Sequence, residues 1–178
     1  MARGLSTAQS QQIYQLCETR TVSSLEADAD LKLTGTAGVK HIARLFSPAL
    51  VQGSHQTPAI AVDSEVGELK ESEGTFGSQG HDVPMMIRVV HRGADLSTVK
   101  NKVQEILAKL SVWMATRFPS PSGSDVLDQF LSDAAGWIEM NGSPKIRAVV
   151  DDEQDPNPNV WGLVGEFRMT YRLRVQQQ

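Results

Sequence analysis

Residues 160–175 read Val-Trp-Gly-Leu-Val-Gly-Glu-Phe-Arg-Met-Thr-Tyr-Arg-Leu-Arg-Val, and this stretch decides the fold class. The odd-numbered positions carry the large apolar side chains Trp161, Leu163, Phe167, Met169, Tyr171, Leu173 and Val175. The even-numbered positions carry Val164, Glu166, Arg168, Thr170, Arg172 and Arg174. Because successive strand residues point to opposite faces, this alternation predicts a long strand in an antiparallel sheet with one exposed face. Residues 145–150 are predicted to pair with it as a hairpin.

A second alternating segment precedes the longest predicted helix. In residues 83–92, Val83 and Ile87 share one face with other apolar residues, while Arg88 and Arg92 lie on the opposite face. From Leu96 to about Phe118, the apolar positions follow helical spacing, and Asp95 is placed to cap the first turn. The apolar positions of this helix are Leu96, Val99, Val103, Ile106, Leu107, Leu110, Trp113 and Met114. One side of the helix is therefore expected to pack on the sheet.

The other segments complete an α+β fold. Helices are predicted at residues 7–19 and 125–135, a strand at 58–62, an extended segment at 137–140, and turns at 34–38 and at Asn141-Gly142. Residues 23–33 fit either a frayed helix or an edge strand, and residues 39–46 fit either a strand or a short helix. We expect a mainly antiparallel sheet with an N-terminal helix and a long helix packed on one face. Residues 1–178 are expected to form a single domain with exposed loops near 65–80 and 151–159.

Composition limits the functional classes. The chain has 178 residues, with 40% hydrophobic and 21% charged residues, which are globular values. Its net charge of −4 argues against a protein that coats nucleic acid, because such binding needs many Lys and Arg contacts to phosphates. One cysteine, Cys17, excludes an intrachain disulfide. No apolar secretory segment or membrane span is found, so we expect synthesis in the cytoplasm.

The sequence carries no recognisable catalytic or metal-binding motif. The glycine-rich residues 74–80 lack the Lys-Ser/Thr of a phosphate-binding loop, and the four histidines do not follow a metal-ligand spacing. Asp155, Asn157, Asn159 and Glu166 match positions of an EF-hand calcium loop, but Val160 stands where that loop needs glycine. We therefore interpret this region as an acidic turn, and we expect no cofactor, no metal and no enzymatic activity.

The arginines of the two long strands are the most informative polar residues. If the strands share a sheet, the five arginines form a basic stripe on its exposed face: Arg88, Arg92, Arg168, Arg172 and Arg174. Such a stripe is either a solvated surface with Glu166 as a local partner or a contact surface for another subunit or a polyanion. Aromatic residues for base stacking are not interleaved with it, which disfavours recognition of single-stranded nucleic acid.

The order of the segments resembles the tail terminator (tail completion) proteins of tailed bacteriophages. The local resemblances are Pro58-Ala-Ile-Ala-Val62, residues 83–96 leading into Val99 and Val103, and residues 161–173. Together they span much of residues 13–175. The chain departs from the compact family pattern by extra sequence around residues 119–159.

The resemblance implies a structural virion protein of the tail and neck. Such a protein forms a homo-oligomeric ring of six subunits that caps the tail tube, ends its polymerisation and offers a surface to the head–tail connector or neck proteins. Genome DNA passes through the channel without specific binding, and no membrane is involved. We expect the arginines to contact a neighbour, together with the loop acids Glu68, Asp151, Asp152 and Asp155.

Other functions are compatible with the same sequence. Another neck component, such as a head completion protein, would bind the portal side rather than the tube. A small-molecule-binding domain, or an enzyme without recognisable motifs, would show an apolar pocket with convergent polar groups. A nucleic-acid-binding adaptor that used the arginines would bind DNA in a salt-dependent manner.

Overall fold

A computed structural model describes residues 7–44, 56–64, 78–116, 137–143, 149–150 and 160–176. These ranges contain α1 (Thr7–Ala27), β1 (His41–Arg44), β2 (Ala59–Ser64), β3 (Ser78–Gly93), α2 (Leu96–Thr116), β4 (Trp137–Ser143), β5 (Val149–Val150) and β6 (Trp161–Gln176). The predicted fold class is confirmed: two helices accompany a mainly antiparallel sheet. Neither helix is long and apolar enough to cross a membrane, a finding limited to the ranges above.

All six strands belong to one sheet. The strand order is β1-β2-β3-β6-β4, and β5 also pairs with β6. Only β1 and β2 run parallel, and the remaining pairs are antiparallel. The pairing of β5 with β6 confirms the predicted C-terminal hairpin for residues 149–150. The rest of that predicted strand, residues 145–148, lies outside the described part of the chain.

The antiparallel pairing of β3 with β6 is the longest strand pairing in the described sheet. Sixteen consecutive residue pairs join Ser78↔Gln176 at one end to Gly93↔Trp161 at the other. Odd-numbered residues face odd-numbered partners throughout, so the alternation in both sequences assigns each residue to one of two faces. The apolar face carries Ile87 opposite Phe167, and the charged face carries Arg88 opposite Glu166.

Both helices pack on the apolar face and enclose one hydrophobic core. Trp113 of α2 is almost fully buried, and its indole Nε1 donates a hydrogen bond to Ser24 Oγ of α1 at 3.1 Å. Gly165 lets α2 approach the sheet closely: a Cβ there would lie 2.7 Å from Val103 Cγ1 and 2.8 Å from Leu107 Cδ1. The largest buried core side chains are Trp113, Phe167, Leu25, Leu31, Ile60, Met85, Ile87 and Ile106.

A buried carboxylate joins α1 to the edge of the sheet. Glu18 Oε2 accepts hydrogen bonds from Arg44 Nη2 at 2.8 Å and Nε at 3.1 Å. Glu18 Oε1 accepts from Ser64 Oγ at 2.6 Å and from the Ser64 backbone N–H at 3.0 Å. One side chain thus holds the ends of β1 and β2. The four bonds satisfy the carboxylate, as its burial requires.

Local sequence signals account for the ends of the helices. Asp95 caps α2, because its Oδ2 accepts from the Thr98 backbone N–H at 2.7 Å and from Thr98 Oγ1 at 2.6 Å. At the C-terminal end of α1, Asp28 Oδ1 accepts from the backbone N–H groups of Asp30 and Leu31. Gly38, at φ 65°, closes the following turn, which confirms the turn predicted at residues 34–38.

Several boundaries differ from the sequence prediction. α1 continues to Ala27, eight residues beyond the predicted end, so the first part of residues 23–33 is helical. Residues 41–44 form a strand, which decides between the two alternatives. The predicted Asn141-Gly142 turn is wrong, because β4 runs through it to Ser143, paired with β6. The predicted helix at 125–135 lies outside the described residues.

Candidate functional site

The register places all five predicted arginines on the face of the sheet opposite the helices. Arg88 and Arg92 are even-numbered residues of β3, and Arg168, Arg172 and Arg174 are even-numbered residues of β6. The even-numbered residues of the two strands pair with one another. The face also receives Asp63 and Ala61 from β2, because these residues pair with Met86 and Arg88. We call this surface the charged face.

The arginines do not form an uninterrupted basic stripe. Arg88 Nη1 donates to Asp63 Oδ2 at 2.8 Å, and Arg88 Nε lies 3.9 Å from Glu166 Oε1. The second oxygen of Glu166 lies 3.8 Å from Arg168 Nη2. Asp63, Arg88, Glu166 and Arg168 thus alternate in sign across three strands. The short contact is a hydrogen-bonded ion pair, and the two longer ones are charge contacts only.

The alternation continues along the register toward the far end of β6. Arg172 pairs with Asp82 of β3 on one side and with Glu139 of β4 on the other. Both register partners of Arg172 in the adjacent strands are therefore acidic residues. Arg174 pairs with Gly80 and Trp137. The sequence indicated Glu166 as a local partner but not Asp63, Asp82 or Glu139, because only the strand register aligns these positions with the arginines.

Exposure is uneven across the charged face. The side chain of Arg168 is 46% exposed, whereas that of Arg88 is 25% exposed. Next to Arg88, toward Arg92, Ala59, Ala61 and Val90 are buried in a small apolar cluster with Val164 packed against it. Met86 is buried as well. The outer face is therefore partly buried, and its charged residues adjoin an apolar cluster.

The remaining predicted interface residues are not placed. Glu68, Asp151, Asp152 and Asp155 lie outside the described residues, as does the loop predicted at 151–159. Of the loop predicted near 65–80, residues 65–77 also lie outside, whereas residues 78–80 belong to β3. The structure thus brings the arginines together on one face and leaves their pairing with the loop acids as a hypothesis. Glu166, the last position of the calcium-loop match, lies within β6 and contacts Arg88 and Arg168.

Cys17 and His91, two further residues with reactive side chains, are both at least partly buried. Cys17 is buried in the core, as the sequence predicted. His91, at the end of β3, is partly buried, and its Nδ1 has no hydrogen-bond partner among the described residues. Burial, with a further contribution from Lys102, lowers the pKa of His91. Within the described ranges, no group of three or more His, Cys, Asp or Glu residues is arranged to hold a metal ion.

No family model matches the chain, and no curated protein matches it.

Proposed function

We propose that this chain is a tail-terminator-like structural protein, located in the phage tail or neck, that closes the tail tube as a ring. The observation that carries the proposal is the order of its elements: an N-terminal helix, a short Ala-Ile strand, a long strand, an Asp-capped helix and a final long strand. This is the order on which the family resemblance rests. In this role the chain ends tube polymerisation and contacts the head connector.

The mixed charge of the charged face supports a contact with protein rather than with DNA. Phosphate binding needs positive charges that are free to replace counterions. Arg88 instead donates to Asp63, and Glu166 lies close to both Arg88 and Arg168. We therefore propose that the charged face contacts the acidic loops of a neighbouring subunit. A ring needs such heterologous contacts, in which one patch meets a different patch of the next copy.

Charge reversal tests the role of the arginines. The double variant Arg168→Glu/Arg172→Glu should weaken ring assembly, because it places like charges against the acidic loop of the neighbour. Light scattering over a concentration series measures the effect. Lys100→Glu is the control, since it reverses an exposed charge on α2, away from this face. Equal assembly by the double variant and the control would count against the charged face as an interface.

Tube binding tests the proposed function itself. The purified protein, mixed with polymerised tail tube protein, should bind to tube ends and limit further growth, which negative-stain imaging of tube length can measure. A head completion protein would instead bind the portal complex and leave tube length unchanged. Salt-dependent DNA binding without tube binding would favour the nucleic-acid adaptor.

A further inference from the structure

The side chain of His91 lies on the helix side of the sheet, near the end of β3. It is an odd-numbered residue and pairs with Leu163, a core residue of β6, which in turn pairs with Val150 of β5. Both neighbours are apolar, and the described register of β2 ends one row earlier, at Ala59. The Nδ1 atom of His91 is buried and has no hydrogen-bond partner among the described residues. This nitrogen is therefore desolvated without a hydrogen bond to offset the cost.

Two glycines show where α2 passes above this face. An added Cβ at Gly165 would lie 2.7 Å from Val103 Cγ1. An added Cβ at Gly93 would lie 3.1 Å from Val99 Cγ2. In the register of β3 with β6, His91 lies between these two contact points. It therefore lies beneath the helical turn that runs from Val99 to Val103.

Lys102 brings a positive charge into that turn. Its side chain is 26% exposed. Burial, together with the charge of Lys102, lowers the pKa of His91. The carboxylate of Glu105 accepts from Lys102 Nζ at 2.9 Å and lies 3.3 Å from Lys109 Nζ, so it already has two cationic partners. A proton on His91 would add another positive charge near Lys102, and the packed arrangement therefore favours the neutral imidazole.

The first two turns of α2 have few buried side chains to hold them on the sheet. Among residues 96–102, Val99 alone is buried, and Leu96 is 37% exposed. The later turns bury four further large side chains, Ile106, Leu107, Leu110 and Trp113. Trp113 also donates to Ser24 of α1. Segments with few buried contacts open at a lower free energy than the rest of a fold. The first two turns can therefore separate from the sheet while the later turns stay packed.

We propose that His91 and Lys102 form an acid-sensitive switch, in which protonation of His91 releases residues 96–102 of α2 from the end of β3. The switch is a property of the single chain and does not depend on ring assembly. In the open form, water reaches the imidazole, and its pKa returns toward about 6.5. The open form then binds a proton more readily than the closed form, so its population rises as pH falls below about 6.5.

Hydrogen exchange of the full-length chain, followed by mass spectrometry, tests the switch. Samples at about pH 7.5 and about pH 5.5 are compared after correction for the chemical effect of pH on exchange. We expect up to about tenfold faster exchange at residues 99–102 in acid, because one proton changes the opening equilibrium by at most tenfold per pH unit. Residues 83–89 of β3 should keep their protection. Equal acceleration along the whole chain, or none at residues 99–102, overturns the proposal.

A histidine variant identifies the group that takes the proton. His91→Gln should abolish the acid response of residues 99–102, because glutamine does not titrate. His41→Gln is the matched control, since it removes a histidine from β1 and leaves His91 in place. It should respond like the wild type. A full acid response in His91→Gln would overturn the switch.

A pair of lysine variants tests the part of Lys102, and it decides the matter if His91→Gln fails to fold. Without the ammonium group of Lys102, the closed form accepts a proton on His91 more easily. Lys102→Gln should therefore show a smaller acid response at residues 99–102. Lys100→Gln removes the same charge from an exposed position of α2 and should keep the full response. Equal responses of the two lysine variants would overturn the pairing of His91 with Lys102.

Discussion

Glu18 shows how a single side chain can fix the position of a helix. Its carboxylate is buried and accepts four hydrogen bonds from Arg44 and Ser64. Burial alone would raise the pKa of Glu18, but the bonds from Ser64 and Arg44 outweigh it, so the pKa lies below its ordinary value. The charged form is therefore the form that the fold needs.

Glu18→Gln should destabilise the chain by about 1–3 kcal/mol, because an amide cannot accept from both sets of donors and leaves one of them unsatisfied. Chemical denaturation measures the free energy of unfolding. Glu26→Gln, an exposed change on the same helix, is the control and should have little effect. Equal stability of the two variants would show that the Glu18 bonds make no net contribution.

Single residues differ in how far the sequence predicts them. The cap at Asp95 was predictable, since its partner Thr98 lies three residues away. The role of Glu18 was not, because Ser64 lies 46 residues away and only the fold brings the two together. Asp63 beside Arg88 was missed for the same reason. Contacts between residues close in sequence can thus be predicted from the sequence, whereas a contact between strands can be predicted only when the strand register is known.

At the scale of elements, the contact of α2 with β6 depends on the missing side chain of Gly165. Gly165→Ala should cost about 1–3 kcal/mol, because the added methyl group overlaps Val103 and Leu107 and forces α2 away from the sheet. Thermal unfolding measures the loss. Gly162→Ala in the same strand is the control, since its Cβ would meet only Arg92 Cγ at 3.7 Å. A Gly165 variant as stable as the Gly162 variant would contradict this account.

Elements were predicted best where one periodicity persists. α2 and β6 were predicted nearly to their ends, because an uninterrupted apolar alternation or stripe leaves no other structure. Two local signals misled the prediction. Asn-Gly at 141–142 is a strong turn signal, but pairing with β6 keeps it extended. Residues 20–27 show no clear apolar stripe, yet this segment of α1 is helical, and the buried polar side chains of Arg20 and Thr21 form part of its inner side.

For the whole molecule, the candidate site was only partly predictable. The even numbering of the five arginines was enough to predict that they share one face of the sheet, and the register of β3 with β6 agrees. The acids between them, and the apolar cluster around Val90, depend on β2 and β4, whose positions the sequence does not specify. The predicted basic stripe thus becomes a face of mixed charge, and for this reason the proposed partner is protein.

The stability of the whole molecule depends on pH because folding shifts the pKa values of several groups. His91 has a pKa held below its ordinary 6.5 by burial and Lys102. Glu105 has a pKa held below 4.5 chiefly by its hydrogen bond from Lys102. Glu18 shifts in the same direction. In each case the unfolded chain binds protons more readily, so stability falls on acidification. Burial raises the pKa of Tyr14 above 10.0, so stability also falls in strong base.

We therefore expect a plateau of stability from about pH 7 to 9, with a first loss as pH falls below about 6.5 and a second below about 4.5. One group contributes a slope of at most about 1.4 kcal/mol per pH unit. Denaturant unfolding at each pH measures the curve. His91→Gln should remove the first loss and keep the second. His41→Gln, which leaves His91 in place, is the control and should keep both. If the His91 variant still loses stability below about pH 6.5, another group causes that loss. The neutral imidazole of His91 would then make no contribution to the pH dependence.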